Sequence, residues 1–311
     1  MRPTTDTDTD TDTDTNTCEE QQDTVFRFQY MSDLHLEKRS VGKLLKDDKR
    51  VMAPYLVLAG DIGDPSSAKY ESFLVRAAEM YPGGVFVIVG NHECYGKTIE
   101  QAEEEACSAC ERVSETASIF PHRVVFLSAG KPPAELTVRS GTRVESVRVL
   151  GCTLWSHVPD EHACWIGSTN NDCRAIRDFD VSRWNARHAA ELAWLRVELS
   201  ETRRRGQRCV VVTHHAPLME GTSAQEYEVP GRALWHAFAS DLRELMLEFV
   251  DVAPAWIHGH THFSHRTFIR ATADTDKGVL LASNQRGNNK REACAGLGFS
   301  EDVTIDIVFP R

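Results

Sequence analysis

The stretch VFVIVGNHE, residues 85–93, changes character at one point: five apolar residues, four of them β-branched, give way to Gly90, Asn91, His92 and Glu93. An apolar run of this length bounded by glycine reads as a buried strand. Three polar side chains directly past its end call for a shared explanation, since a turn requires none of them.

The same transition recurs on both sides. VFRFQYMS (25–32) leads into Asp33 and His35 of SDLHLE, and YLVLAGD (55–61) ends on Gly60 and Asp61 and continues to Asp64. Later, RCVVVTHH (208–215) delivers His214 and His215, and AWIHGH (255–260) runs through Gly259 and His260 into His262. In sheets with parallel strands, ligands bind outside the carboxyl ends of the strands.

Between these runs the apolar residues fall at helical spacing in SSAKYESFLVRAAEMY (66–81) and KTIEQAEEEACSACERVSE (97–115), with a further strand expected at RVVFLS (123–128). The order strand, helix, strand predicts right-handed crossovers and a mainly parallel first sheet. In the second half, 134–155 reads as a turn-linked strand pair, 185–206 and 232–250 as helices, and 265–272, 278–283 and 303–309 as closing strands. No Pro/Gly/Ser-rich linker divides the halves, so residues 25–311 read as one domain.

Ahead of it, residues 1–24 carry a Thr-Asp repeat with eight acids against Arg2, which accounts for −7 of the chain's net −11. A repeat without apolar side chains cannot bury enough surface to offset the entropy of ordering it, so a disordered tail is expected. The remaining 287 or so residues are only mildly acidic, which argues against a nucleic-acid surface built on broad basic patches. The start lacks the basic and apolar regions of a signal peptide, and no apolar run approaches membrane-spanning length. Nine cysteines, an odd number, fit reduced thiols, and Cys107 and Cys110 read as small residues on a helix. A cytoplasmic location is the expectation.

The four histidines of WIHGHTHFSH (256–265) sharpen the chemistry. His258, His260 and His262 alternate, so an extended backbone would point them to one side. Imidazoles mixed with the carboxylates of Asp33 and Asp61 and the amide of Asn91 suit Mn, Fe or Zn, whereas an all-oxygen set would suit Mg or Ca.

Taken together, Asp33-x-His35, Gly60-Asp61, Gly90-Asn91-His92-Glu93, His214 and Gly259-His260-Thr261-His262 resemble the calcineurin-like metallophosphoesterase superfamily. That resemblance implies an α/β/β/α four-layer sandwich: two mixed sheets face to face, with helices on the outside. It also implies two divalent or trivalent transition-metal ions, one held by Asp33, His35, Asp61 and His262 and the other by Asp61, Asn91, His214 and His260. The implied reaction is hydrolysis of a phosphomonoester or phosphodiester by a metal-bridging hydroxide, with His92 on the leaving-group side. A nuclease, a cyclic-nucleotide phosphodiesterase or a non-catalytic docking protein on the same fold are the alternatives.

Several residues stay outside that core assignment. Asp64 lies at the spacing where some superfamily members place a carboxylate that orients the catalytic histidine. Alternation turns His215 away from the metals and towards substrate, alongside Asn91 and His92. His258 and His265 fall outside the motif and are assigned to packing or surface. Tyr95, Asn171, Asp172 and Arg286 lie in segments that could line the cleft, and residues 156–176 are expected to form part of a substrate-selecting cap. Gln285 stands where a proline is common in a related subgroup, which puts any phosphate-binding role of Arg286 in doubt. Protein partners are not legible.

Overall fold

The computed structural model describes residues 23–309 apart from 43, 46–50, 117–123, 141–142, 230, 273 and 275. The Thr-Asp repeat therefore lies outside the described residues.

The chain enters on β1 (Thr24–Met31) and continues through β2 (Tyr55–Ala59), α1 (Ala68–Met80), β3 (Gly84–Ile88), α2 (Ile99–Thr116) and β4 (Val124–Phe126). These strands pair in parallel, β1 with β2, β2 with β3 and β3 with β4. Every second residue faces the helices and the others face inward. Leu56 and Leu58 pack under α1 and α2, whereas Val57 and Ala59 enter the layer between the sheets. Burial on both faces is why these strands read as unbroken apolar runs rather than as alternating ones. Helix α1 begins at Ser67, whose side chain accepts from the Tyr70 N–H and satisfies one of the otherwise unpaired amides of the first turn.

The second half builds β5 (Ala134–Ser140), β6 (Arg143–Cys152), α3 (Asp160–Thr169), α4 (Asp172–Ala175), α5 (Val181–Arg204), β7 (Arg208–Thr213), α6 (Arg243–Glu248), β8 (Ala255–His258), β9 (His265–Arg270) and β10 (Gly278–Ser283). Their sheet runs in the order β5-β6-β7-β8-β10-β9, parallel from β6 to β10 and antiparallel at both edges. Helix α5 buries Trp184, His188, Glu191, Leu195, Leu199 and Thr202, one stripe at steps of three and four. The last strand, β11 (Thr304–Phe309), returns to the first sheet antiparallel to β1.

Phe26, Phe28, Val57, Ile88, Val149, Val210 and Ile257 fill the space between the sheets, and Leu195, Leu199, Leu245 and Phe249 cover the outer face of the second sheet. The fold is thus the expected four-layer sandwich of two mixed sheets. One expected element is absent as drawn: 232–250 is not a continuous helix. A 3-10 turn at Ala233–Ala237 is followed by an interruption before α6, because the backbone at 238–240 pairs instead with Ala216. The Ala216 N–H bonds Phe238 O at 3.1 Å and the Ser240 N–H bonds Ala216 O at 3.1 Å, which draws that stretch towards the loop after β7. Among the described residues, no helix is long and apolar enough to cross a membrane.

Candidate metal centre

The loops after β1, β2, β3, β7 and β8 meet at one end of the sandwich. The Asp33 N–H bonds Gly60 O, the His35 N–H bonds Asp61 O and the Gly259 N–H bonds His214 O, at 2.9–3.0 Å, which stitches neighbouring loops together within each sheet. Five residues here adopt left-handed backbone: Asp33 (φ 53°), His35 (47°), Asp61 (54°), His260 (72°) and His262 (50°). Such conformations are uncommon outside glycine and collect at functional sites, where the surrounding structure holds them. They redirect the chain just past β1, β2 and β8, so side chains from separate strands aim at one point. This replaces the alternation expected for His258, His260 and His262: β8 stops at His258, and the two later rings converge through a turn. Bare backbone makes the room, since a Cβ on Gly90 would lie 2.2 Å from Asp61 Oδ1 and one on Gly60 2.5 Å from His214 Nδ1.

Hydrogen bonding at the far side of each ring decides what its near side can do. His35 Nδ1 lies 3.2 Å from Glu37 Oε1, and His262 Nδ1 lies 2.6 Å from Glu292 Oε2. A carboxylate accepts only, so each Nδ1 carries the hydrogen and, in a neutral ring, each Nε2 is a lone pair. Those two Nε2 atoms face each other at 3.0 Å, with Asp33 Oδ1 3.3 Å from that of His262. His214 repeats the pattern. Its Nδ1–H donates to Ala59 O at 2.9 Å, leaving Nε2 opposite Asn91 Oδ1 at 3.0 Å and Asp61 Oδ1 at 3.4 Å.

With neutral rings, acceptors face acceptors in two places, so each place calls for positive charge, a metal ion or a second proton on the imidazole. Asp33, His35 and His262 form one group able to hold a metal ion, and Asp33, Asp61 and His214 form another. The electrostatics agree. Burial opposes a charged ring, yet Asp33 and Glu292 raise the His262 pKa to about 10, and Asp61 and Asp33 raise that of His214 to about 9. The cluster draws positive charge to itself.

Asn91 is held by a buried partner: its amide nitrogen donates to Asp172 Oδ1 at 2.8 Å and to the Tyr95 hydroxyl at 3.2 Å, which turns Oδ1 towards His214. His260 stands beside these groups but outside both. Its Nε2–H reaches Ala237 O at 3.3 Å, so Nδ1 is its free nitrogen, and burial together with neighbouring His214 lowers its pKa to about 3. His92 donates its backbone N–H to Asp61 Oδ1 at 2.9 Å, lays its ring on Tyr95 and keeps Nε2 3.9 Å from Asp61 Oδ2. Burial lowers the His92 pKa, but Asp61 and Glu37 outweigh it and the net shift is upward.

Two expectations need correction, those for Asp64 and His215. Asp64 does not touch His92. Its half-exposed carboxylate accepts from Ser66 and, at 3.0 Å, from Lys97, which ties it to its own turn and to the start of α2; Glu37 Oε1 occupies the expected place, 3.4 Å from His92 Nδ1. His215 does not face the cleft. It is fully buried behind His260, stacked on it at 4.1 Å, with Nδ1 accepting from the Ser156 N–H. Arg286 points to backbone carbonyls of Leu34 and Ser40 rather than into the cleft, and Gln285 is buried, donating to Thr261 Oγ1.

Glu37, Lys38, Glu292 and the bracing role of Glu93 are additions to the sequence reading. Glu93 accepts from the backbone N–H groups of Asp61, Ile62, Gly63 and Gly90, clamping the second loop to the third. Lys38 Nζ lies 3.3 Å from His92 Nδ1. Glu37 had one available signal, its place two residues after His35; Glu292 lies 30 residues past His262 and had none.

Beside the cluster a cavity of about 770 Å³ opens, lined by Asn91, His92, Tyr95 and His260 together with Asn171, Asp172, Tyr227, Phe238 and Asn288. The 156–176 segment thus contributes to the lining.

The chain matches the calcineurin-like phosphoesterase family over residues 26–264. It is 23% identical over 289 residues to Uncharacterized protein L509 of Acanthamoeba polyphaga mimivirus, covering 83% of this chain and 90% of that protein. Among solved structures, phosphopantetheinyl hydrolase (PptH) of Mycobacterium tuberculosis superposes with a TM-score of 0.60 at 16% identity, covering 85% of this chain and 90% of that one, a likeness of fold. With a family match across most of its length, the chain belongs to the calcineurin-like phosphoesterase family of metal-dependent phosphoester hydrolases.

Proposed function

We propose that the cluster holds two transition-metal ions and that the cavity receives a phosphate ester, monoester or diester, which is hydrolysed without a covalent enzyme intermediate. Asp33, His35, Asp61 and His262 would hold one ion, and Asp61, Asn91, His214 and His260 the other. The observation that carries this reading is the pair of close confrontations, His35 Nε2 against His262 Nε2 and His214 Nε2 against Asn91 Oδ1, each 3.0 Å apart, which only added positive charge reconciles. Mixed imidazole and carboxylate donors favour Mn, Fe or Zn. When bound, such ions polarise phosphoryl oxygens and lower the pKa of a coordinated water.

The chain's own groups supply the rest. Asp33 and Asp61, both buried, set the negative charge that balances the ions. His92 lines the cavity with its ring braced by Tyr95 and Glu37, and its Nε2 protonates the departing oxygen. Asp172, fixed between Asn91 and Tyr95, keeps the Asn91 carbonyl turned inward. A cavity of about 770 Å³ leaves room for a sizeable organic group beside the phosphate.

The test is metal analysis of purified protein combined with turnover of nitrophenyl phosphate and bis-nitrophenyl phosphate. About two ions per chain, loss of turnover on chelation and its return on adding Mn²⁺ or Zn²⁺ are expected. Full activity in metal-free protein would overturn the proposal.

A further inference from the structure

A single oxygen, Glu37 Oε1, lies 3.2 Å from His35 Nδ1 and 3.4 Å from His92 Nδ1. The two rings it touches are 4.5 Å apart, edge to face at 65°, and have different tasks in the function proposed above, on which this inference rests. We infer that Glu37 is a positioning residue shared by the metal centre and the leaving-group side, orienting His35 and His92 through one carboxylate oxygen.

The backbone beneath Glu37 is built to keep it in place. Leu36 N–H bonds Ile62 O at 2.9 Å, and the Lys38 N–H bonds His35 O at 2.9 Å. Gly63 lets the two loops approach this closely, since a Cβ there would lie 2.9 Å from Leu36 Cβ. An acceptor at Nδ1 of each ring fixes which nitrogen is turned inward: Nε2 of His35 towards His262, and Nε2 of His92 towards Asp61. Lys38 cannot replace it. Its ammonium also reaches His92 Nδ1 but donates only, so with Glu37 gone it would oppose the Nδ1–H and the imidazolium form that gives up a proton from Nε2.

Two defects should therefore follow from one substitution, and they separate experimentally. Wild-type and Glu37→Ala protein are stripped of metal and titrated with Zn²⁺ by calorimetry. One of the two wild-type sites should weaken about 10–100-fold while the other is unchanged. At saturating metal, kcat for an alkyl phosphate should remain depressed with KM unchanged, and kcat for the nitrophenyl ester should be much less affected, because only the poor leaving group needs an oriented His92.

Glu37→Gln keeps an acceptor oxygen at the same reach and should recover most of both losses. Melting temperatures of all three proteins report folding. Unchanged Zn²⁺ affinity in Glu37→Ala, equal kcat losses for both esters, or a Gln variant as damaged as the Ala variant would each overturn the role. So would loss of a third Zn²⁺ site, which would make Glu37 a ligand with His35 and His92. A wild type that binds no Zn²⁺ would instead overturn the metal centre itself.

Discussion

Two pairs of imidazoles in this protein meet in the same way, Nε2 to Nε2: His35 with His262 at 3.0 Å, and His258 with His265 at 2.7 Å. The difference lies behind the rings. Glu37 and Glu292 back the first pair, so both Nδ1 atoms carry hydrogens, and the two Nε2 atoms are reconciled only by added positive charge, which Asp33 and Glu292 favour. In the second pair, Gly259 O takes the Nδ1–H of His258, and Thr267 Oγ1 lies 3.3 Å from Nδ1 of His265. There one proton suffices: His265 Nε2–H donates to His258 Nε2, and every nitrogen is matched. Burial lowers the pKa of both rings, that of His265 to about 4, so this pair is neutral. What sets the pair proposed as a metal site apart is the carboxylates around it.

The comparison breaks most visibly at the metal. His262→Ala should lose bound metal and reduce turnover by more than the roughly 10–100-fold typical of an outer partner's loss, because a ligand itself is gone. His258→Ala, four residues away in sequence, should keep full metal content. Metal analysis of the two proteins side by side decides it, and release of metal by His258→Ala would undo the distinction.

A third histidine tests whether proximity alone makes a ligand. His92→Ala should retain both metals and lose roughly 10²–10⁴-fold in kcat, the range expected for general acid–base catalysis. The loss should be greatest for alkyl leaving groups, measured as a wild-type to variant ratio across an ester series. Metal loss in this variant would place His92 among the ligands instead.

Smaller still is the effect of the carboxylate behind His262. Glu292→Gln keeps the contact to Nδ1 but removes the charge, and should weaken metal binding by about 10–100-fold at most, read by calorimetry. An unchanged affinity would mean that Asp33 alone sets the charge balance of that ring.

These partners mark where sequence reading stopped. The two sheets were legible because strands buried on both faces leave continuous apolar runs, as at 55–59 and 85–88, and because Asp, Asn and His sit at their ends. Glu292 was not legible, since no local pattern links it to a ring 30 residues earlier. Asp64 was misplaced because spacing from Asp61 says nothing of direction, and the turn it caps points its carboxylate to Lys97. The 232–250 helix failed because periodicity cannot reveal that the 238–240 backbone has a better partner in Ala216.

The smallest effect belongs to the neutral pair, where the matter is stability rather than metal. His258→Leu would leave the His265 Nε2–H without an acceptor in a buried site, and an unsatisfied buried donor costs about 1–3 kcal/mol. His265→Leu would cost a similar amount by stranding His258 Nε2. Replacing both removes the polar atoms together, and two apolar side chains of comparable size need no proton between them, so the double variant should be less destabilised than the sum of the singles. A coupling of about 0.5–3 kcal/mol is expected from urea unfolding of the four proteins, with metal content constant throughout. Singles that simply add would show that the 2.7 Å contact contributes nothing as a hydrogen bond, and that the pair is only packing.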